Sequence, residues 1–490
     1  MIPPPFSADE YANMSIEEIH NAMKTGETSS FKLIAAYFNQ IERINPQLNA
    51  IISLNKENAL NEAIHADTVL KTSKDIGCLH GIPITIKDNV EVDKISTTAG
   101  FRPFKDHISS SDAHLVSLLK KAGAIIIGKT NLPGLTYDLQ TNNQLFGRTN
   151  NPWNIHHTSG GSSGGCASAI ASGMSRISFC NDSGGSIRIP AHFCGIYGFK
   201  VSLGGINPSG IITQVQKKLG RLKMRTLLSA GMMTQSVADI KIALNIVGTN
   251  KLTPPPRKDI PATSIKLLWI DELPGFEVDN EIKHALLELR STLNKSGVKI
   301  ETFSNEQFDF LETIRLWGHL SNYETGNELP KIARSAGSLI MRRKYNKIPM
   351  YTDLLKPISI KKYRVLRKHH ETVKKQFETL LENYDGLIIP AASILAFPHQ
   401  KPDRKLGHLG IYTTPLSVNG KNVQYAIAAQ SYALPFNVLE SPVLSLPIAL
   451  SKDKLPIGIQ LVGKKNKDFE LLEVASTLDR LITSIGKPEI

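Results

Sequence analysis

The sequence is poor in the residues and runs that mark several large protein classes. Its 490 residues include four cysteines, Cys78, Cys166, Cys180 and Cys194, with no Cys-x-x-Cys pair. This argues against a disulfide framework and the common zinc and thiol-redox spacings. The thiols are expected to be reduced, buried small residues in a cytoplasmic compartment. No run approaches the ~20 apolar residues of a membrane-spanning helix, so no membrane partner is expected. The start, Met1-Ile-Pro-Pro-Pro-Phe-Ser-Ala-Asp-Glu, has neither the basic, apolar leader of a secreted chain nor the arginines of a transit peptide. There is no internal repeat and no low-complexity tract. No metal-ligand spacing appears, and no cofactor is implied.

Acidic residues are outnumbered, 44 against 57 lysines and arginines, for a formal net charge of +13. The basic residues cluster at Lys217-Lys218, Arg221-Leu-Lys223, Arg342-Arg343-Lys344 and from Lys361-Lys362 to His370. No aromatic-interleaved module accompanies them. They read as a solvated basic face, and a nucleic-acid partner is not expected. The hydrophobic fraction of 41% and charged fraction of 21% are ordinary for a globular chain with a large core. The length allows two to four average domains or one large α/β unit. Oligomeric state is not legible; a homodimer is allowed.

Along the chain, helical and strand-like stretches alternate. Ile16, Ile19 and Met23 fall at helical spacing. A second helix follows Thr28-Ser29-Ser30 and is expected to stop at Asn45-Pro46. Ala59 to Leu70 and Ser111 to Ala122 read as further helices. Ala124 to Gly128 reads as a buried strand, and Thr130 to Asp138 leaves its end, where α/β folds carry function. A helix is expected to start in Gly231 to Asp239. Lys266 to Ile270, Gly386 to Pro390, Val443 to Pro447 and Gly458 to Val462 read as strands, and Asp279 to Lys295 as a helix. The alternation implies a sheet covered on both faces.

The centre of the sequence is His157-Thr-Ser-Gly-Gly-Ser-Ser-Gly-Gly165, continued by Asp182-Ser-Gly-Gly-Ser-Ile-Arg188. Two Gly-Gly-Ser elements recur, with serines at 162 and 186. Glycine lets backbone N–H groups converge beside an exposed hydroxyl, as acyl transfer requires. A flexible linker would not be followed by the small-residue helical stretch from Cys166, and a phosphate-binding loop would have Gly-Lys-Ser/Thr where Gly165-Cys166 stands. Upstream, Gly81-Ile-Pro-Ile-Thr-Ile-Lys87 is an extended strand with Ile82, Ile84 and Ile86 on one face and Pro83, Thr85 and Lys87 on the other.

Together these pieces resemble the amidase signature family of serine hydrolases. They are Gly81-Ile-Pro-Ile-Thr-Ile-Lys87-Asp, Gly128-Lys-Thr-Asn-Leu-Pro, Phe146-Gly-Arg-Thr-Asn-Asn-Pro-Trp153, Gly160-Gly-Ser-Ser-Gly-Gly165, Asp182-Ser-Gly-Gly-Ser-Ile-Arg188-Ile-Pro-Ala and Leu455-Pro-Ile-Gly-Ile-Gln-Leu-Val-Gly463. The likeness is weakest from Thr253 to Asn383. It implies a single α/β domain over 1–490 around a large mixed, mostly parallel twisted sheet with helices on both faces. Within it, 1–75 would be a helical part, 76–250 the catalytic core, 255–385 a variable, mostly helical substrate wall and 386–490 the return to the sheet.

The resemblance implies a Ser–Ser–Lys triad with Ser186 as nucleophile, Ser162 as bridging serine behind a cis peptide, and Lys87 as base. The backbone N–H groups of Ser183, Gly184, Gly185 and Ser186 would form the oxyanion hole. Ser163, Asp182 and Arg188 would support the loop, and Thr136, Tyr137 and Asp138 would line the substrate pocket. No Gly-x-Ser-x-Gly elbow surrounds Ser186 and no histidine is needed, so His157, His192 and His370 read as surface or packing residues.

Cys180-Asn181, Met232, Gln235 and Glu440 depart from the commonest family pattern. Glu440 is either a pocket residue favouring cationic or polar substrates or a surface glutamate. The implied activity is hydrolysis of a small-molecule carboxylic amide through an acyl-serine. Two alternatives stand beside it: the glutaminase (A-type) component of a tRNA-dependent amidotransferase, and a catalytically silent scaffold or nucleic-acid binder.

Overall fold

A computed structural model describes residues 6–73, 76–211, 226–254, 259–326, 358–406 and 408–490. The basic clusters at 217–218, 221–223 and 342–344, and positions 327–357 of the middle region, lie outside the described residues.

Eleven strands form one sheet. In chain order they are β1 (Ile51–Leu54), β2 (Pro83–Lys87), β3 (Ile125–Thr130), β4 (Ile177–Asp182), β5 (Tyr197–Lys200), β6 (Ser229–Thr234), β7 (Lys266–Trp269), β8 (Lys299–Thr302), β9 (Gly386–Pro390), β10 (Val443–Leu450) and β11 (Pro456–Val462). Across the sheet the order is β1-β3-β2-β4-β6-β5-β10-β11-β9-β7-β8. The sheet is mixed, as expected, but its parallel share is smaller than expected. Parallel pairing is confined to β3–β2–β4 and to β9–β7–β8; the other pairings are antiparallel.

Both faces are buried. Ile84 and Ile86 of β2 join Ile177 and Phe179 of β4 in the main core. On the other face Cys180 and Met233 pack with Cys166, Ala167 and Ile170 of the helix Gly164–Ala171. The alternation of a strand therefore sends Lys87 to the side where that helix and the helix Arg188–Cys194 lie.

Three local readings need correction. The helix Ser30–Leu48 runs through Pro46. Asn45 Oδ1 accepts the N–H groups of Ala50 and Ile51 and closes the turn beyond it. Residues 229–234 are a strand, with a helix only from Val237. The segment Ser-Ala-Gly-Met-Met-Thr has no β-branched run, but β4 and β5 pair with it on both sides. A Cβ at Gly231 would stand 2.0 Å from Phe199 O, so glycine is what fits there. All four cysteines are free, but Cys78 is exposed rather than buried.

Candidate active site

Lys87 ends β2, fully buried, in register with Thr130 of β3. Its Nζ donates to Ser162 Oγ at 2.8 Å and to Ser163 Oγ at 2.7 Å. Ser162 Oγ in turn donates to Ser186 Oγ at 2.9 Å. The Gly161–Ser162 peptide is cis. Ser163 N donates to Ser186 O at 3.2 Å, tying the two glycine-rich turns together. Ser163 thus touches the lysine as closely as Ser162 does and is more than a support of the loop. Burial pushes the Lys87 ammonium below its ordinary range, against weaker opposing effects from Cys166, Cys180 and Asp182.

Ser186 lies in the turn between β4 and the helix Arg188–Cys194, and it is half-buried where Ser162 and Ser163 are buried. Asp182 organises this turn. Its Oδ1 accepts Gly184 N at 3.1 Å and Gly185 N at 2.8 Å, and its Oδ2 accepts Ile187 N at 2.9 Å. Two of the four N–H groups expected in the oxyanion hole are therefore bonded to Asp182 in this structure. Those of Gly184 and Gly185 serve the carboxylate; those of Ser183 and Ser186 have no acceptor among the described residues. Arg188 meets Asp182 through Nε at 3.1 Å and Nη2 at 2.9 Å. Burial raises the Asp182 carboxyl, but Arg188 and the backbone donors outweigh it and hold the group well below the usual carboxylate range.

Residues missed in the sequence complete this clamp. Asn437 accepts from Arg188 at 2.6 Å and donates to Asp182 Oδ1 at 3.0 Å. Gln460 Oε1 accepts from Arg188 at 2.8 Å. Trp317 Nε1 donates to Ser183 O at 2.7 Å, and Gln430 Nε2 to Gly184 O at 2.7 Å. Only Gln460 carried a signal, its place inside the motif from Leu455 to Gly463.

A family model described as amidase matches residues 32–472. The chain belongs to the amidase family. It is accordingly an enzyme that acts on carbon–nitrogen bonds of amides. Among curated proteins it is 29% identical to the A-type component of a glutamyl-tRNA(Gln) amidotransferase from Clostridium acetobutylicum, over 96% of this chain and 99% of that protein. It is 25% identical to an acylamidase of Rhodococcus erythropolis, over 95% of each. The solved structure of a fatty acid amide hydrolase shares the fold, with a TM-score of 0.78 at 21% identity over 99% of this chain and 88% of that one.

Against the amidase pattern, the unusual residues sort by what they touch. Asn181 donates to Asn89 Oδ1 and Gln235 to Ile170 O. Glu440 is neither a pocket wall nor a surface glutamate: it is buried and paired with Lys374 and Lys465. His370, Glu371 and Glu440 bring three ligand atoms within 4.8 Å of one another. The two lysines on Glu440, and the Val438 carbonyl and Arg367 against the ring of His370, already fill that cluster, which does not suit a cation. His192 is buried between Ile394 O and Gly458 N, and burial lowers it to about 4, so it packs as a neutral ring. Of the pocket candidates, Thr136 stands at φ +63 directly after Leu135 at +54. Tyr137 is 62% exposed.

Proposed function

We propose that Lys87, Ser162 and Ser186 form the Ser–Ser–Lys triad of a hydrolase that converts a small carboxylic amide to an acid and ammonia or an amine. The single observation that carries this reading is the unbroken chain Lys87 Nζ–Ser162 Oγ–Ser186 Oγ, with steps of 2.8 and 2.9 Å. With the lysine charged, the protons of this chain point outward from Nζ. Neutral Lys87 reverses both hydroxyls: Ser186 donates to Ser162, and Ser162 to Nζ. Ser186 Oγ then attacks the amide carbon while its proton passes through Ser162 to Lys87. The oxyanion takes the N–H groups of Ser183 and Ser186, each such donor contributing roughly 3–4 kcal/mol to the transition state. Collapse breaks the C–N bond, and the proton returns from Lys87 to the leaving amine. Water cleaves the acyl-serine by the same relay. Asp182 and Arg188 hold the turn and touch no reacting atom. The whole chain acts as one catalytic domain in the cytoplasm.

The test is intact-mass measurement after treatment with a fluorophosphonate. One adduct is expected on the native protein, none on Ser186→Ala and slow labelling of Lys87→Ala. An adduct that survives in Ser186→Ala rejects the assignment. A second reading, the A-type glutaminase of an amidotransferase complex, is favoured by the amidotransferase relatives that align along almost the whole chain. It is distinguished by co-purification with a second polypeptide and by ammonia release that requires tRNA. A silent scaffold has no use for a buried lysine joined to two serines.

A further inference from the structure

Asp138, which the family resemblance places at the substrate pocket, takes no part in the mechanism and lies close to the bridging serine. The carbonyl oxygen of Asp138 would lie 2.5 Å from a Cβ on Gly161, the residue before Ser162. The Asp138 carboxyl is bonded on one side only. Its Oδ1 accepts Leu139 N at 2.6 Å, Gln140 N at 3.0 Å and Tyr425 OH at 2.6 Å. Its Oδ2 accepts nothing from the described residues. Asp88, Asp182 and Glu440 each face a lysine or arginine. Asp138 faces none among the described residues, and burial pushes it up to about 7 against the pull of its three donors.

The surroundings are aromatic. The rings of Tyr412 and Tyr425 stack with centroids 6.2 Å apart, and Phe397 meets Tyr425 edge-on at 5.8 Å. Asp138 meets Tyr425 at its hydroxyl, and a buried carboxylate with one oxygen left over is a receptor for an ammonium group. The helix Tyr425–Gln430 relates this place to the chemistry. Tyr425 binds Asp138 at one end, and Gln430 binds Gly184 in the turn of Ser186 at the other. Five residue steps make roughly 7.5 Å, the reach of a short alkyl chain.

We propose that Asp138 is a specificity-determining residue that binds a protonated amine on the substrate, so that the preferred amides carry an ammonium group a short alkyl chain away from the scissile carbonyl. This rests on the reading of Ser186 as nucleophile. The substrate supplies the counter-charge that Asp138 lacks among the described residues.

Two independent readouts separate the claims. Fluorophosphonate labelling of Ser186 reports on the nucleophile. Titration of the native protein with n-hexylammonium and with n-hexanol, followed by calorimetry, reports on Asp138 whether or not labelling occurs. The ammonium should bind at least tenfold more tightly than the alcohol. That ratio should fall to about one in Asp138→Asn, which keeps an oxygen for Leu139, Gln140 and Tyr425, and should persist in Asp138→Glu. Equal binding by the native protein, or an unchanged ratio in Asp138→Asn, overturns the proposal. A thermal midpoint for Asp138→Asn within a few degrees of the native value shows that the loss is not unfolding.

Discussion

Lys87 shows how much a single side chain here depends on its surroundings. An exposed lysine is charged at neutral pH and useless as a base; burial lowers this one, and two serines are its hydrogen-bond partners. The base must be neutral, so Ser186 labelling should rise with pH as Lys87 loses its proton, with a midpoint below the ~10.4 of a free lysine. Stopped-flow labelling from acid to alkaline pH checks this, and Lys87→Ala should flatten that limb. Between the two pKa values the unfolded chain binds a proton that the fold does not, so this residue makes the protein more stable as pH rises through that window. The place of Lys87 beside Ser162 was legible from the motif set. The direct contact with Ser163 was not, because two adjacent serines on a turn do not reveal which hydroxyl faces the strand.

At the scale of the element, the turn 182–188 is a short loop whose shape is imposed by a carboxylate. Asp182 collects three backbone N–H groups, a guanidinium and an amide. Removing the cation leaves that charge buried and unpaired. Arg188→Met should therefore cost about 3–5 kcal/mol in denaturant unfolding and abolish labelling of Ser186. A variant that keeps native stability would mean that the Asp182–Arg188 pair does not hold the turn. The two misread elements teach the same lesson from opposite sides. The helix expected to start in Gly231 to Asp239 begins only at Val237, because pairing with both neighbours holds the residues before it in a strand; Pro46 argued for a stop, and the Asn45 side chain closed the turn beyond it.

The whole molecule is closed by its C-terminus. β10 and β11 lie between β5 and β9, so the last strands to be made join the two halves of the sheet. Gln460 of β11, and Asn437 just ahead of β10, reach into the clamp on the turn 182–188. A chain ended at Pro442 should fail to label at Ser186 and lose cooperative unfolding by circular dichroism. A truncated chain that still labels would show that residues 1–442 assemble the site without β10 and β11.

The fold class and the amidase family were legible in the sequence through the resemblance, which also implied the Lys87, Ser162 and Ser186 set, because ordered motifs are local patterns that survive in one dimension. Tertiary structure decided the rest. It turned the N–H groups of Gly184 and Gly185 to Asp182, buried Glu440 between lysines, and left Asp138 without a counter-charge among the described residues. Each of these depends on which residues from distant segments share a few ångströms of space, and a buried charge takes its character from those neighbours rather than from its place in the chain.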